Sequence, residues 1–140
     1  MKQAKNCEFF VNEISEENLG AVMERCPNLG AFGFGSFGQY HPEFPGNATK
    51  ELKQDRGELL RGFAQFQTAC EWLAKIEKSR STNQTCSSYA LKHRVERFYA
   101  PFYCCNGAFI AAAIHMGFKW VEDGPNACFN MKQASLDRLL

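Results

Sequence analysis

Cys104 and Cys105 stand side by side at the start of a stretch that reads as a helix, Asn106 to Met116. A helix N-terminus lowers a thiol pKa, so either cysteine could act as a nucleophile, with His93 or His115 as its base. The same two thiols with Cys128, His93 and His115 would supply ligands enough for a zinc ion. Neither chemistry has its spacing signal. No acid stands at a recognisable spacing to orient a histidine, and none of the seven cysteines forms C-x-x-C. The competing reading is a pair of buried thiols at a tight corner between Tyr103 and Asn106. On that reading no catalytic residue, no metal and no cofactor is expected, and the chain is not an enzyme.

A second constellation is Gly33, Gly35 and Gly38, formally G-x-G-x-x-G. Phosphate binding by that motif requires a helix directly after the glycines. Gln-Tyr-His-Pro-Glu-Phe-Pro-Gly follows instead, and its two prolines argue against one. Nucleotide binding is therefore rejected. Phe32 and Phe34 alternating with glycine read either as a strand packed closely on a neighbour or as a mobile loop. In the loop reading, Phe32, Phe34, Phe37, Tyr40 and Phe44 are candidate anchors for a protein partner.

The third constellation is basic. Arg80, Thr82, Asn83, Ser87, Lys92, Arg94 and Arg97 run through a polar link and along the expected outer face of the next helix. They are candidates for contact with phosphates or with an acidic partner. Helix, helix, helix and hairpin is also the order of a winged helix, with 106–116 in the recognition position. That helix carries little but Asn106 and His115 to present to base edges, so direct base reading is not expected. An acidic face, Glu13, Glu16, Glu17 and Glu24, is the counterpart that could enter a basic nucleic-acid channel.

The elements that must position these residues follow from pattern. Ser15 caps a helix to Arg25 with Leu19, Val22 and Met23 inward. Asn47 or Thr49 caps a long helix to Ser79, with a break at Gly57. Its stripe is Leu59, Phe63, Phe66, Cys70, Leu73 and Ile76. Residues 78–88 read as a polar link. Ser87 or Ser88 caps a helix with Leu91, Val95 and Phe98 inward and Lys92, His93, Arg94 and Arg97 outward. Asn106 caps the apolar helix, and Gly117 ends it. A helix apolar on every side must be covered on several faces, so its neighbours define the fold. Residues 118–122 and 127–131 form a hairpin, Ser135–Leu140 a helical turn, and Cys7–Val11 a short first strand.

The expectation is one α+β domain over residues 1–140: a compact helical core with a C-terminal β-hairpin. Hydrophobic residues make up 45% and thirteen phenylalanines are present, so the core should be aromatic-rich. The net charge of +1 points to no polyanionic partner, although residues 1–60 carry −3 and residues 61–140 carry +4. No apolar leader follows Met1 and no apolar run is long enough to span a bilayer, so a cytoplasmic location is expected. The sequons at Asn47 and Asn83 then carry no meaning.

Four segments read jointly resemble a family of small uncharacterised proteins encoded by phages and plasmids. They are Ser-Tyr-x-Leu-Lys-His-x-x-Glu (88–96), Asn-Gly-Ala-Phe-Ile-Ala-Ala-Ala (106–113), Gly-Phe (117–118) and Gly-Pro-Asn-x-x-Phe-Asn (124–130). The resemblance covers roughly the C-terminal third and brings neither an activity nor catalytic residues. What it implies is a setting, a mobile genetic element in a bacterial host. There, small proteins regulate DNA or block host defences, as anti-CRISPR and anti-restriction proteins do. The expected partner is a host nuclease or CRISPR effector complex, with nucleic acid as the alternative.

Overall fold

Residues 13–43 and 46–139 are described by the structure, a computed structural model. The expected strand Cys7–Val11 and the candidate anchor Phe44 lie outside them. Along the chain come α1 (Glu16–Arg25), β1 (Leu29–Gly30), β2 (Gly33–Phe34), α2 (Phe37–Tyr40), α3 (Ala48–Arg61) and α4 (Phe63–Leu73). After these come β3 (Lys78–Asn83), α5 (Ser88–Phe98), α6 (Asn106–His115), β4 (Trp120–Asp123), β5 (Asn126–Met131) and α7 (Gln133–Asp137). The class is α+β, with a helical core, a two-stranded sheet β1-β2 and a three-stranded sheet in the order β3-β5-β4.

Helix α6 is the centre. Every residue from Asn106 to Ile114 is buried, as an all-round apolar sequence requires. Helices α1, α4 and α5 pack on it, with β2 and β5 closing the rest. Its alanines admit close neighbours, and Phe109 fills the space between Trp72 and Phe129, with ring centroids 6.2 and 6.0 Å away. The helix ends at Gly117 (φ +89°). There the Gly117 N–H donates to Ile114 O and the Phe118 N–H to Ala113 O. These two bonds are the Schellman pattern that a left-handed glycine permits. At the other end the expected cap is displaced by one residue. Cys105 is the N-cap, its Sγ accepting from Ala108 N at 3.4 Å, and Asn106 is freed for contacts elsewhere.

The stripe from Leu59 to Ile76 forms as expected, with Phe63 half-buried and the others buried. The helix carrying it breaks at Gly62 rather than Gly57. Gly62 is the C-cap of α3 and the N-cap of α4, and Gly57 stays helical because an isolated glycine inside a helix costs only about 1 kcal/mol. Asn47 caps α3 by accepting from Lys50 N.

The polar link 78–88 is corrected by the structure. Its first half is β3, antiparallel to β5, with Lys78 opposite Met131, Asn83 opposite Phe129 and an irregularity between them. A sheet edge exposed to solvent needs no hydrophobic face, so pattern alone cannot mark it. Side chains supply what burial does not: Asn130 Nδ2 donates to Ser79 O and Asn83 Nδ2 to Met131 O.

Glycine pairs decide how closely the N-terminal hairpin approaches. A Cβ on Gly107 would overlap the carbonyl oxygen of Gly30, and one on Gly33 (φ +132°) would overlap that of Pro125. Gly107→Ala is expected to destabilise by the upper part of the about 1–3 kcal/mol typical of overpacking. Gly20→Ala, with nothing within 4 Å, should be neutral or stabilising. Equal melting temperatures for the two variants in thermal denaturation would remove this account.

Candidate functional site

Helix α3 holds the hairpin β1-β2 and the one-turn helix α2 against the body through three side chains. Arg56 donates to Cys26 O, Leu29 O and Met23 O, placing a cation at the C-terminal end of α1, where the helix dipole favours it. Asp55 accepts from Phe32 N at 2.7 Å through Oδ2, and its backbone oxygen accepts from Ala31 N. Glu51 accepts from Gly38 N at 3.2 Å. The hairpin tip is tied from the other side as well: Gly107 N donates to Ala31 O, Phe34 N to Pro125 O, and Asn106 Nδ2 to Phe32 O, Pro125 O and Asn126 Oδ1.

Of the two readings of the Gly-Phe stretch, the close-packed strand is the one observed. Phe34 is therefore core, 1% exposed, and is no surface anchor. A one-turn helix, Phe37–Tyr40, does follow Gly33 and Gly35 and contains Gly38; it is capped by Ser36 and ends before Pro42. Its Gly38 N–H already donates to the Glu51 carboxylate, whose charge would repel a phosphate.

Phe32, Phe37 and Tyr40 do come together. Phe32 meets Phe37 edge-on at 5.7 Å and Tyr40 at 6.2 Å, while Phe37 stacks on His41 at 4.2 Å. Phe37 is 47% exposed. Two hollows open beside this platform. One, of about 200 Å³, is lined by Phe32, Ser36, Phe37, Glu51, Asp55 and Glu58 among others. The other, of about 260 Å³, is lined by Phe32, Asp55, Glu58, Gln65, Tyr103 and Cys105 among others. Sharing Phe32, Asp55 and Glu58, they form one groove with aromatic walls and an acidic floor and rim. Burial pushes the Asp55 carboxyl above its ordinary value; the Phe32 N–H opposes the shift and the charge of Glu58 adds to it. A separate hollow of about 320 Å³, between the end of β3 and the hairpin, is lined by Gln84, Val121, Glu122, Asp123 and Cys128, with no histidine among them.

The basic candidates are largely spent on structure. Lys92, expected outward, is buried: its Nζ donates to Glu96 Oε2 at 3.1 Å and lies 5.3 and 5.0 Å from the Tyr89 and Tyr103 rings. Arg94 donates to Leu136 O and leans on Cys86 Sγ. Asn83 Nδ2 also reaches Gln133 Oε1, and its Oδ1 accepts from Thr85 N. Thr82 and Ser87 are half-buried, and Ser87 caps α5 without a side-chain bond. Arg80 and Arg97 remain exposed, few against the roughly 6–10 phosphates that a strong duplex binder neutralises. Helix α6, in the recognition position of a winged helix, is buried and cannot enter a groove of DNA. Phe98, expected inward, is 47% exposed.

The thiols lie in an environment opposed to nucleophilic chemistry. Burial pushes Cys104 far up and Cys105 up as well. Contrary to expectation one histidine does have an orienting acid, three residues on along the same helix: His93 Nδ1 pairs with Glu96 Oε1 at 2.7 Å, while His115 Nε2 lies 2.5 Å from Glu13 O. Among the described residues no three His, Cys, Asp or Glu converge closely enough to hold a metal ion, and no helix is long and apolar enough to cross a membrane.

The groove acids Glu51, Asp55 and Glu58, and Tyr103, were not singled out by sequence reasoning. The available signal was the spacing of the three acids, four and three residues apart behind the Asn47 cap, which places them on one helix face. No family model, no curated protein and no solved structure matches the chain.

Proposed function

We propose that the chain is a non-enzymatic protein of a mobile genetic element that acts by binding a host protein, as an inhibitor of a nucleic-acid-targeting defence complex of the nuclease or CRISPR-effector class. The observation that carries the binding reading is the platform Phe32–Phe37–Tyr40, partly exposed yet held rigidly by Asp55, Glu51 and Asn106. Aromatic side chains fixed before binding give up little conformational entropy on docking, and such residues dominate interface energetics. The mobile-element setting comes from the resemblance of the C-terminal segments.

The test is capture of the tagged protein from its host in parallel with and without added nuclease, followed by cleavage or interference assays on the retained complex. A stoichiometric protein partner is expected, with its cleavage activity suppressed. Phe32→Ala with Phe37→Ala should weaken capture by about 30-fold or more, the factor that about 2 kcal/mol at an interface hot spot represents, without lowering the melting temperature appreciably. Capture of nucleic acid alone, released by salt, would sink this reading and favour the alternative, phosphate contact through the basic region 80–97 centred on Arg80 and Arg97.

A further inference from the structure

The groove beside the platform has walls suited to one kind of chemistry. Phe32, Phe37 and Tyr103 present aromatic surface, and Glu51, Asp55 and Glu58 present carboxylates. Among the described residues none of the three carboxylates is paired with a lysine or arginine, although ion pairs form elsewhere on the surface, as at Glu77 with Lys132 and Arg138. Asp55 is half-buried, where an unpaired negative charge is costly. The groove thus carries an unmet demand for positive charge next to ring faces that attract cations.

The geometry selects among cations. The three acids do not converge on a point, so a single metal ion is not what they fit. On a helix surface residues three or four apart have Cβ atoms about 5–6 Å from one another, so Glu51, Asp55 and Glu58 form a row with about that spacing. Alternate side chains of an extended peptide repeat at about 6.6–6.8 Å. A guanidinium also suits the walls better than an ammonium, being planar, weakly hydrated and able to stack on a ring while it bonds a carboxylate. Nucleic acid is repelled by the same carboxylates.

We infer that this groove takes an extended, arginine-bearing segment of the partner protein, its guanidinium groups set on Asp55 and Glu58 between Phe32, Phe37 and Tyr103. The inference rests on the binding function proposed above and deepens it: the surface engaged is one that in the partner would otherwise face phosphate. Inhibition then follows from competition, because an arginine held by Asp55 or Glu58 is withheld from nucleic acid.

The direct probe is a fluorescent Gly/Ser peptide with arginine at alternate positions, titrated into the full chain and followed by anisotropy, beside the same peptide carrying neutral citrulline. Binding of the arginine peptide is expected to weaken with salt and to exceed that of the citrulline peptide by about tenfold, the factor that about 1.4 kcal/mol represents. Asp55→Asn with Glu58→Gln should lose a similar factor. Because Asp55 also holds Phe32 N, Glu58→Lys is the second variant: among the described residues the Glu58 carboxylate makes no hydrogen bond or ion pair, so the fold should persist while binding is lost. No binding of the arginine peptide, equal binding of citrulline, equally tight binding of spermidine, or indifference to Glu58→Lys would each overturn the inference. If a captured host partner is still lost on Phe32→Ala with Phe37→Ala while the arginine peptide fails, the binding function stands and only the groove assignment falls. If the partner is absent too, both fall.

Discussion

A chain carrying Ala112→Asp or Ala113→Asp will not fold. Both alanines are fully buried in the helix that the other elements surround. An aspartate there would stand in the apolar core cluster. Ionised, it costs several kcal/mol of desolvation even after relaxation; protonated, it still needs a hydrogen-bond partner and space for its extra atoms. Against a total stability of about 5–15 kcal/mol, either route removes most of what holds the domain together. Soluble expression and the far-ultraviolet circular dichroism melt are the measurements, with Ala112→Ser as the comparison that adds only a small hydroxyl. If both aspartate variants melt where the wild type does, α6 is not the buried centre described above.

That centre was readable in advance because composition alone demanded it: Ala, Phe and Ile on every side of a helix leave no solvent face. The caps Ser15 and Asn47, the left-handed Gly117 and the turn between β4 and β5 were equally legible, being decisions of local stereochemistry. What failed was whatever depended on a distant partner. β3 exists because β5 lies beside it, Gly62 rather than Gly57 breaks the long helix, and Phe34 is core because the hairpin is pressed on α6. The groove was hidden for the same reason, since its floor comes from α3 and its walls from the hairpin, α2 and the loop before α6.

The four C-terminal segments read jointly above have a common structural meaning. Ser88, expected as a cap, accepts from Ala127 N and joins α5 to the central strand. Asn106 joins α6 to the hairpin tip and to the Pro125–Asn126 turn, leaving its own Oδ1 buried without a partner among the described residues. Asn130 holds Lys119 N and Ser79 O. These polar residues are joints of the fold, and none of them lines the groove. Residues of this kind specify the scaffold, and a fold by itself does not imply a function.

The most consequential joint is Lys92 with Glu96, and breaking it will cost more than its place on a basic helix suggests. The Lys92 side chain is 6% exposed and that of Glu96 18%. Glu96 also accepts from Cys104 N, which pins the loop leading into α6. Glu96→Gln keeps an acceptor for Cys104 N but leaves the Lys92 ammonium buried with no counter-charge, so a loss of about 3–5 kcal/mol is expected. Lys92→Met together with Glu96→Gln should recover much of it, because the unpaired charge is gone; the coupling energy from the double-mutant cycle measures the pair. Acid gives an independent readout. Burial raises the Glu96 pKa, but hydrogen bonds from Cys104 N, His93 and Lys92 outweigh it, and the carboxyl sits below its ordinary 4.5. A carboxyl depressed in the native state contributes stability that is fully present above the unfolded value and lost as pH falls through the native one. The wild type should therefore weaken progressively below about pH 4.5, and Glu96→Gln should lack that part of the decline. A Glu96→Gln cost under about 1 kcal/mol, the level of a surface pair, with an unchanged acid limb, would mean that Lys92 and Glu96 merely touch.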